Sequence, residues 1–182
     1  WNRIIPAGSW REPETALNDA GIFLLKTDPG EWNDLIPALK ARLKSWPRPV
    51  FAFRMAPAGL KPILPEGKDN KDTPLKDASA VAGPYVFVCG IGDPSQALHT
   101  VTEFFGRGPE TMLSFPDHHD FRKEKETLES LNLPIVCTGK DAVKLEPLHL
   151  SVPCFSLEVS AEFFASLRAE AIAGTAASGT AP

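Results

Sequence analysis

The sequence predicts an α/β fold, a mostly parallel sheet with flanking helices. Three observations carry this. From residue 84 onward, short apolar runs alternate with stretches of helical period, the pattern of βα units. The runs are unbroken, as in Tyr85-Val86-Phe87-Val88-Cys89, which suits strands covered on both faces. Three of them are followed by polar clusters containing Gly, Asp or His, where strand-to-helix loops fall in such a sheet.

Each element has its own signal. Residues 1–13 read as a loop, with turn chemistry at Pro6-Ala7-Gly8-Ser9. Pro13 opens a short helix that turns Ala16, Leu17 and Ala20 inward. Gly21-Ile22-Phe23-Leu24-Leu25-Lys26 reads as a buried strand of a parallel sheet. Residues 31–45 place Trp32, Leu35, Ile36, Leu39 and Leu43 at helical spacing, with Lys40, Arg42 and Lys44 near the C-terminal end, as the helix dipole favours. A strand is predicted over 50–57. Residues 60–64 are its expected partner, across a turn at Pro57-Ala58-Gly59.

Residues 65–77 are polar and rich in Lys and Asp, as in a solvated linker. The second half is more regular. A strand ends at Cys89, Gly90-Ile91-Gly92 turns the chain, and Asp93 caps a helix with Pro94 in its first turn. Gly106 ends that helix. A strand over 111–115 leads into Pro116-Asp117-His118-His119-Asp120, and Asp120 caps a helix from Phe121 to Leu131. A strand over 133–137, a short helix after Thr138-Gly139-Lys140-Asp141, a strand within 152–159 and an amphipathic helix over 161–172 complete the pattern. The expected division is a remnant of an N-terminal lobe with its strand linker (1–64), a polar linker (65–83), a C-terminal α/β lobe (84–173) and a disordered tail (174–182).

The chain has 182 residues, 43% of them hydrophobic, and a net charge of −4. That is enough apolar material for a core. It argues against a nucleic-acid binder, which carries a basic face. No apolar run reaches the length of a membrane span, and no signal peptide is visible. Cys89, Cys137 and Cys154 are far apart and each lies in an apolar run. They read as buried, reduced thiols of a cytosolic protein. The first residue is Trp1 and not Met, which raises the expectation that the chain is a piece lacking an N-terminal part.

In a parallel sheet the loops leaving the carboxyl ends of the strands meet on one edge. The Gly90-Ile91-Gly92-Asp93 turn, the 116–120 loop and the 138–141 loop are therefore expected together. The histidine loop supports three readings. It is a metal site, a source of a base in which an Asp orients a His, or an inert loop with Asp120 as a cap. Gly90-x-Gly92 lacks the third glycine of a dinucleotide fingerprint and reads better as a tight turn. Lys140 reaches an anion, or else simply sits at a helix start. Arg11-Glu12 is a loop-fixing ion pair or a ligand contact. No Gly-x-x-x-x-Gly-Lys-Ser/Thr sequence occurs.

Four segments, in order, resemble the C-terminal half of one family: Ile5-Pro6-Ala7-Gly8-Ser9-Trp10-Arg11-Glu12-Pro13, Cys89-Gly90-Ile91-Gly92-Asp93-Pro94, Phe115-Pro116-Asp117-His118-His119-Asp120-Phe121 and Thr138-Gly139-Lys140-Asp141-Ala142-Val143-Lys144. The family is tetraacyldisaccharide 4′-kinase, the lipid A kinase of Gram-negative bacteria. The resemblance implies a P-loop NTPase-like, two-lobed kinase of which this chain is a part. It implies ATP and Mg²⁺ as cofactors and transfer of the γ-phosphate to the 4′-hydroxyl of a lipid disaccharide. It also implies peripheral attachment at the cytoplasmic face of the inner membrane, or a cytoplasmic location if the piece stands alone. His118 carries over as the catalytic residue, with Asp117 beside it. Arg11, Glu12, His119 and Lys140 carry over as residues near the active site.

Two departures stand out. Gly139 replaces the Glu that usually precedes the motif's Lys. The family's phosphate-cradling loop and Asp-Asp-Gly-Phe-Gln magnesium motif precede residue 1 in the resemblance, so these 182 residues alone are expected to bind ATP poorly and to be inactive. The competing expectations are a non-catalytic α/β binding module and a small metal-dependent hydrolase using Asp117, His118 and His119.

Overall fold

A computed structural model describes residues 12–64, 73–117 and 119–174. Arg11 and His118 lie outside the described residues, as do residues 65–72 of the expected linker and 175–182 of the expected tail. The chain forms two compact units, one from Trp1–Arg54 with Ala161–Pro182 and the other from Met55–Ser160.

The first unit begins with a 3-10 turn at Glu14–Asp19 behind Pro13. Strand β1 (Phe23–Lys26) pairs in parallel with the start of β2 (Val50–Pro62), Phe23 opposite Val50. Between them runs α1 (Trp32–Leu43). Trp32, Leu43, Val50, Ala52, Leu167 and Ile172 form its core. The prediction of a fully buried β1 is corrected. It is the end strand of its sheet, so its side chains alternate, and Leu24 stays 55% exposed.

The expected hairpin over 50–64 is also corrected. β2 runs unbroken through Pro57-Ala58-Gly59. Gly59 has φ 151°, an extended shape only glycine adopts easily, and the chain does not fold back. Leu60 instead exchanges two 2.8 Å backbone hydrogen bonds with Lys76, from the stretch expected to be linker.

In the second unit β3 (Val86–Cys89), β4 (Thr111–Ser114), β5 (Ile135–Thr138) and the start of β6 (Cys154–Leu167) form a parallel sheet. Their order is β6–β5–β3–β4. Helix α2 (Pro94–Phe105) leads from β3 to β4. Helix α3 (Lys125–Ser130), after a 3-10 turn at Phe121–Glu124, leads to β5. Helix α4 (Gly139–Leu145) follows β5 directly.

The two-sided burial of β3 explains its continuous apolar run. Phe87 and Cys89 enter one core with Tyr85, Val101, Val136 and Leu157. Val86 and Val88 enter the opposite core with Phe121, Leu128, Ile135 and Leu145. Caps fall where they were expected. Asp93 accepts from the Gln96 N–H at 3.1 Å, Asp120 from the Arg122 N–H at 3.1 Å, and Gly106 closes α2 at φ 65°.

The helix predicted over 161–172 is replaced by a strand. β6 continues to Leu167, and only Ala169–Ala173 is helical, as α5. The adjacent rings at 163 and 164 explain this. Phe163 meets Phe53 at 5.7 Å, while Phe164 meets Trp32 edge-on at 6.5 Å and joins the core. Successive residues facing opposite sides is the strand period of two. The Arg54–Glu162 pair, 2.7 Å apart, adds a further link in this unit.

Candidate functional site: three loops at the carboxyl edge of the sheet

β3, β4 and β5 end level. Cys89 lies opposite Ser114, Val88 opposite Cys137, and the Phe115 N–H donates to the Cys89 carbonyl at 2.8 Å. Their outgoing loops therefore meet, as the strand–helix alternation implied.

Gly90 is the meeting point. Its N–H donates to Asp141 Oδ2 at 2.9 Å. A Cβ at Gly90 would stand 3.3 Å from Asp141 Oδ1, Phe121 Cζ and the Pro116 carbonyl oxygen. One glycine is thus seated against both other loops, and a side chain there would have to push its neighbours back by a few tenths of an ångström.

Asp141 is fully buried. Its Oδ2 also accepts from the Thr138 hydroxyl at 2.7 Å, and its own N–H donates to Thr138 Oγ1 at 3.2 Å. This reciprocal cap starts α4. Lys144 Nζ lies 3.6 Å from Asp141 Oδ1.

Asp117 and Lys140 come together. Lys140 Nζ donates to Asp117 Oδ1 at 2.5 Å across 23 residues, and both side chains are nearly half exposed. His119 has a different setting. Its ring stacks on Phe115 at 4.6 Å and 15°, meets Phe121 edge-on at 5.2 Å, and places Nε2 3.2 Å from Glu124 Oε1. The two neighbours of His118 are therefore unlike. Asp117 is exposed on the edge, and His119 is packed among aromatics. Glu12 is exposed in the first unit.

A cavity of about 180 Å³ opens beside this edge, lined in part by Lys61, Gly139, Glu146, Ser156 and Glu158. Ser156 is buried and donates to Glu158 Oε1 at 2.6 Å. A Cβ at Gly139 would lie 3.6 and 3.7 Å from the two Glu158 carboxylate oxygens. Glu158 thus stands where the loop lacks a side chain of its own.

Asp141 and Glu158 are the residues that motif reading undervalued. Thr138-x-x-Asp141 signalled a helix cap, but nothing local to it signals a bond to Gly90. Among the described residues no group of three or more His, Cys, Asp or Glu is placed to hold a metal ion.

The fold and this edge define an α/β protein with its polar loops gathered at the carboxyl ends of a mostly parallel sheet. By sequence, residues 1–175 match the family model "LpxK: Tetraacyldisaccharide-1-P 4′-kinase", and the chain belongs to that family. A tetraacyldisaccharide 4′-kinase of Oleidesulfovibrio alaskensis is 38% identical over all of this chain and 49% of the relative. Another, of Nitratidesulfovibrio vulgaris, is 40% identical over 80% of this chain and 39% of the relative. The chain thus spans half or less of the length of the curated relatives it matches. A crystal structure of the "apo" form of LpxK from Aquifex aeolicus in complex with ATP shares the fold. Its TM-score is 0.55 at 19% identity, over 90% of this chain and 44% of that one.

Proposed function

We propose that this chain supplies one side of the active site of a lipid A biosynthesis kinase. The reaction moves the γ-phosphate of ATP to the 4′-hydroxyl of tetraacyldisaccharide 1-phosphate. The observation that carries the proposal is the gathering of the Gly90, Asp117 and Lys140 loops on one edge of a sheet in a chain of this family.

In this reading His118 accepts the proton of the attacking sugar hydroxyl. A group that titrates near neutral pH, beside a carboxylate, suits that task. Asp117 orients it, and Lys140 holds Asp117 in turn. His119 and Phe115 brace the loop through their stacked rings. Arg11 and Glu12 enter as active-site neighbours on the resemblance alone.

ATP is the proposed donor, with Mg²⁺ as its companion. The described residues do not fit either as a complete site. No three-ligand metal group is among them, and the sequence holds no phosphate-cradling Gly-x-x-x-x-Gly-Lys loop. Proton handling and loop placement are what these residues supply. The lipid acceptor points to peripheral work at the cytoplasmic face of the inner membrane. No described helix is long and apolar enough to cross a membrane.

The test is transfer of labelled phosphate from ATP to the tetraacyl disaccharide, using the complete gene product, its His118→Ala variant and the 182-residue chain alone. The complete protein is expected to transfer phosphate. His118→Ala should lower kcat by about 10²- to 10⁴-fold, the worth of a general base, and leave KM for ATP nearly unchanged. The 182 residues alone should make no product above background. Equal kcat in variant and parent would remove His118 from catalysis, and an inactive complete protein would overturn the kinase reading.

A further inference from the structure

Asp141 is the one charged side chain among the described residues with no exposure at all. Burying a carboxylate is costly unless its oxygens are met by donors. Here two donors from different loops meet Oδ2, while Oδ1 has the Lys144 ammonium 3.6 Å away and no hydrogen bond. The Gly90 N–H belongs to the turn after β3, and the Thr138 hydroxyl to the end of β5. The next residue back, Lys140, reaches the third loop at Asp117. Two consecutive residues in the first turn of α4 therefore tie down the two other loops.

The fit at Gly90 makes this tie exacting. Three atoms, one each from Asp141, Phe121 and Pro116, stand 3.3 Å from where its Cβ would be. Only a residue without a Cβ sits at this point without displacing one of those neighbours. The 2.9 Å bond to Asp141 keeps the first loop from moving outward.

We propose that Asp141 is a positioning residue. Through Gly90 on one side, and through Lys140 and Asp117 on the other, it sets where the His118 loop stands relative to the Gly90 turn. This deepens the kinase reading and rests on it only for the consequence in turnover.

Asp141→Asn tests the tie. Asparagine keeps the shape. Both donors reach Oδ2, so an asparagine oxygen there still accepts from them but without the carboxylate's charge. Its NH₂ takes the Oδ1 place beside the Lys144 ammonium, 3.6 Å away, where a second donor is unfavourable. Amide hydrogen exchange in the 182-residue chain reads the effect directly. Gly90 exchange is expected to speed up by about tenfold or more, the worth of a charged hydrogen bond, while the β3 core amides keep their protection. In the complete gene product, kcat should fall by a similar factor, with KM for ATP and acceptor within about twofold of the parent.

A second pair covers failure of the first variant to fold. Thr138→Val removes the hydroxyl that donates to Asp141 Oδ2 and accepts from the Asp141 N–H, so the carboxylate is held less firmly and Gly90 exchange should rise, whereas Thr138→Ser keeps both contacts and should match the parent. Unchanged Gly90 exchange in Asp141→Asn or, where that variant does not fold, in Thr138→Val overturns the proposal. So does a loss of activity that only follows the folded fraction. If the parent shows no kinase activity, the kinase reading falls, and the exchange data alone decide the role of Asp141.

Discussion

Lys140 and Asp141 are adjacent in sequence, yet one is exposed and paired with an exposed acid while the other is sealed in the core. An exposed pair contributes roughly 0–1 kcal/mol, so the Lys140–Asp117 contact serves to hold a direction more than to stabilise the fold. The buried thiols follow the same physics of burial. Burial pushes the Cys154 thiol up to about 12, with the Glu129 charge adding to it. Burial also raises Cys137 well above the ordinary range, helped by Cys154, Asp141 and Glu158. Cys89 is raised by burial first, against a hydrogen bond with Ser114 that lowers it. A raised thiol pKa means that the folded state holds the neutral form. Its stabilising share is whole below the ordinary value near 8.5 and is lost as pH climbs toward the folded value. The urea midpoint is therefore expected to stay level from about pH 7 to 8.5 and fall above about 9. A thiol reagent at pH 8 should label the native protein slowly and label all three cysteines in denaturant. Rapid native labelling would contradict this account.

At the scale of elements, β2 depends on a single glycine. A Cβ at Gly59 would come within 2.8 Å of the Leu75 Cβ and 3.2 Å of the Lys76 carbonyl oxygen, in a backbone shape that L side chains rarely adopt. Neither atom is the free end of a flexible side chain, so the strain has no easy outlet. Gly59→Ala is expected to cost roughly 1–3 kcal/mol, read as a lower urea midpoint with an unchanged slope. A neutral outcome would mean that the Leu60–Lys76 pairing gives way at little cost. The last strand teaches a related lesson. Apolar residues at 163, 164 and 167 satisfy a helical wheel as well as a strand, and contacts with Phe53 and Trp32 select the strand. Elements whose local signals agree, such as β3 with its Gly90 turn and Asp93 cap, were legible because burial, turn and cap chemistry all lie within a few residues of one another.

On the scale of the whole molecule, parallel pairing of β3, β4 and β5 brings residues from 90 to 141 onto one edge. That arrangement bears on the metal-hydrolase reading of the histidine loop. His119 is stacked on Phe115 and sits beside Glu124, while Asp117 is paired with Lys140. Element analysis of the purified chain is accordingly expected to find no stoichiometric zinc or iron. One equivalent that is lost on His119→Ala would restore that reading.

Local chemistry alone settled the α/β class, the caps at Asp93 and Asp120, the end of β3 at Cys89, and the ordered motifs that mark the family. Those features depend on hydrophobic period, turn residues and capping, all of which act over a few positions. Only tertiary structure decided the end strand's half exposure, the unbroken path of β2, the strand in place of a C-terminal helix, and the burial of Asp141 against Gly90. Each of these turns on a partner far away in sequence. The Asp141–Gly90 bond spans 51 residues, and the Arg54–Glu162 pair spans 108. Such contacts exist only once the strands have paired, which is why no reading of the loops one by one singled out the carboxylate that joins them.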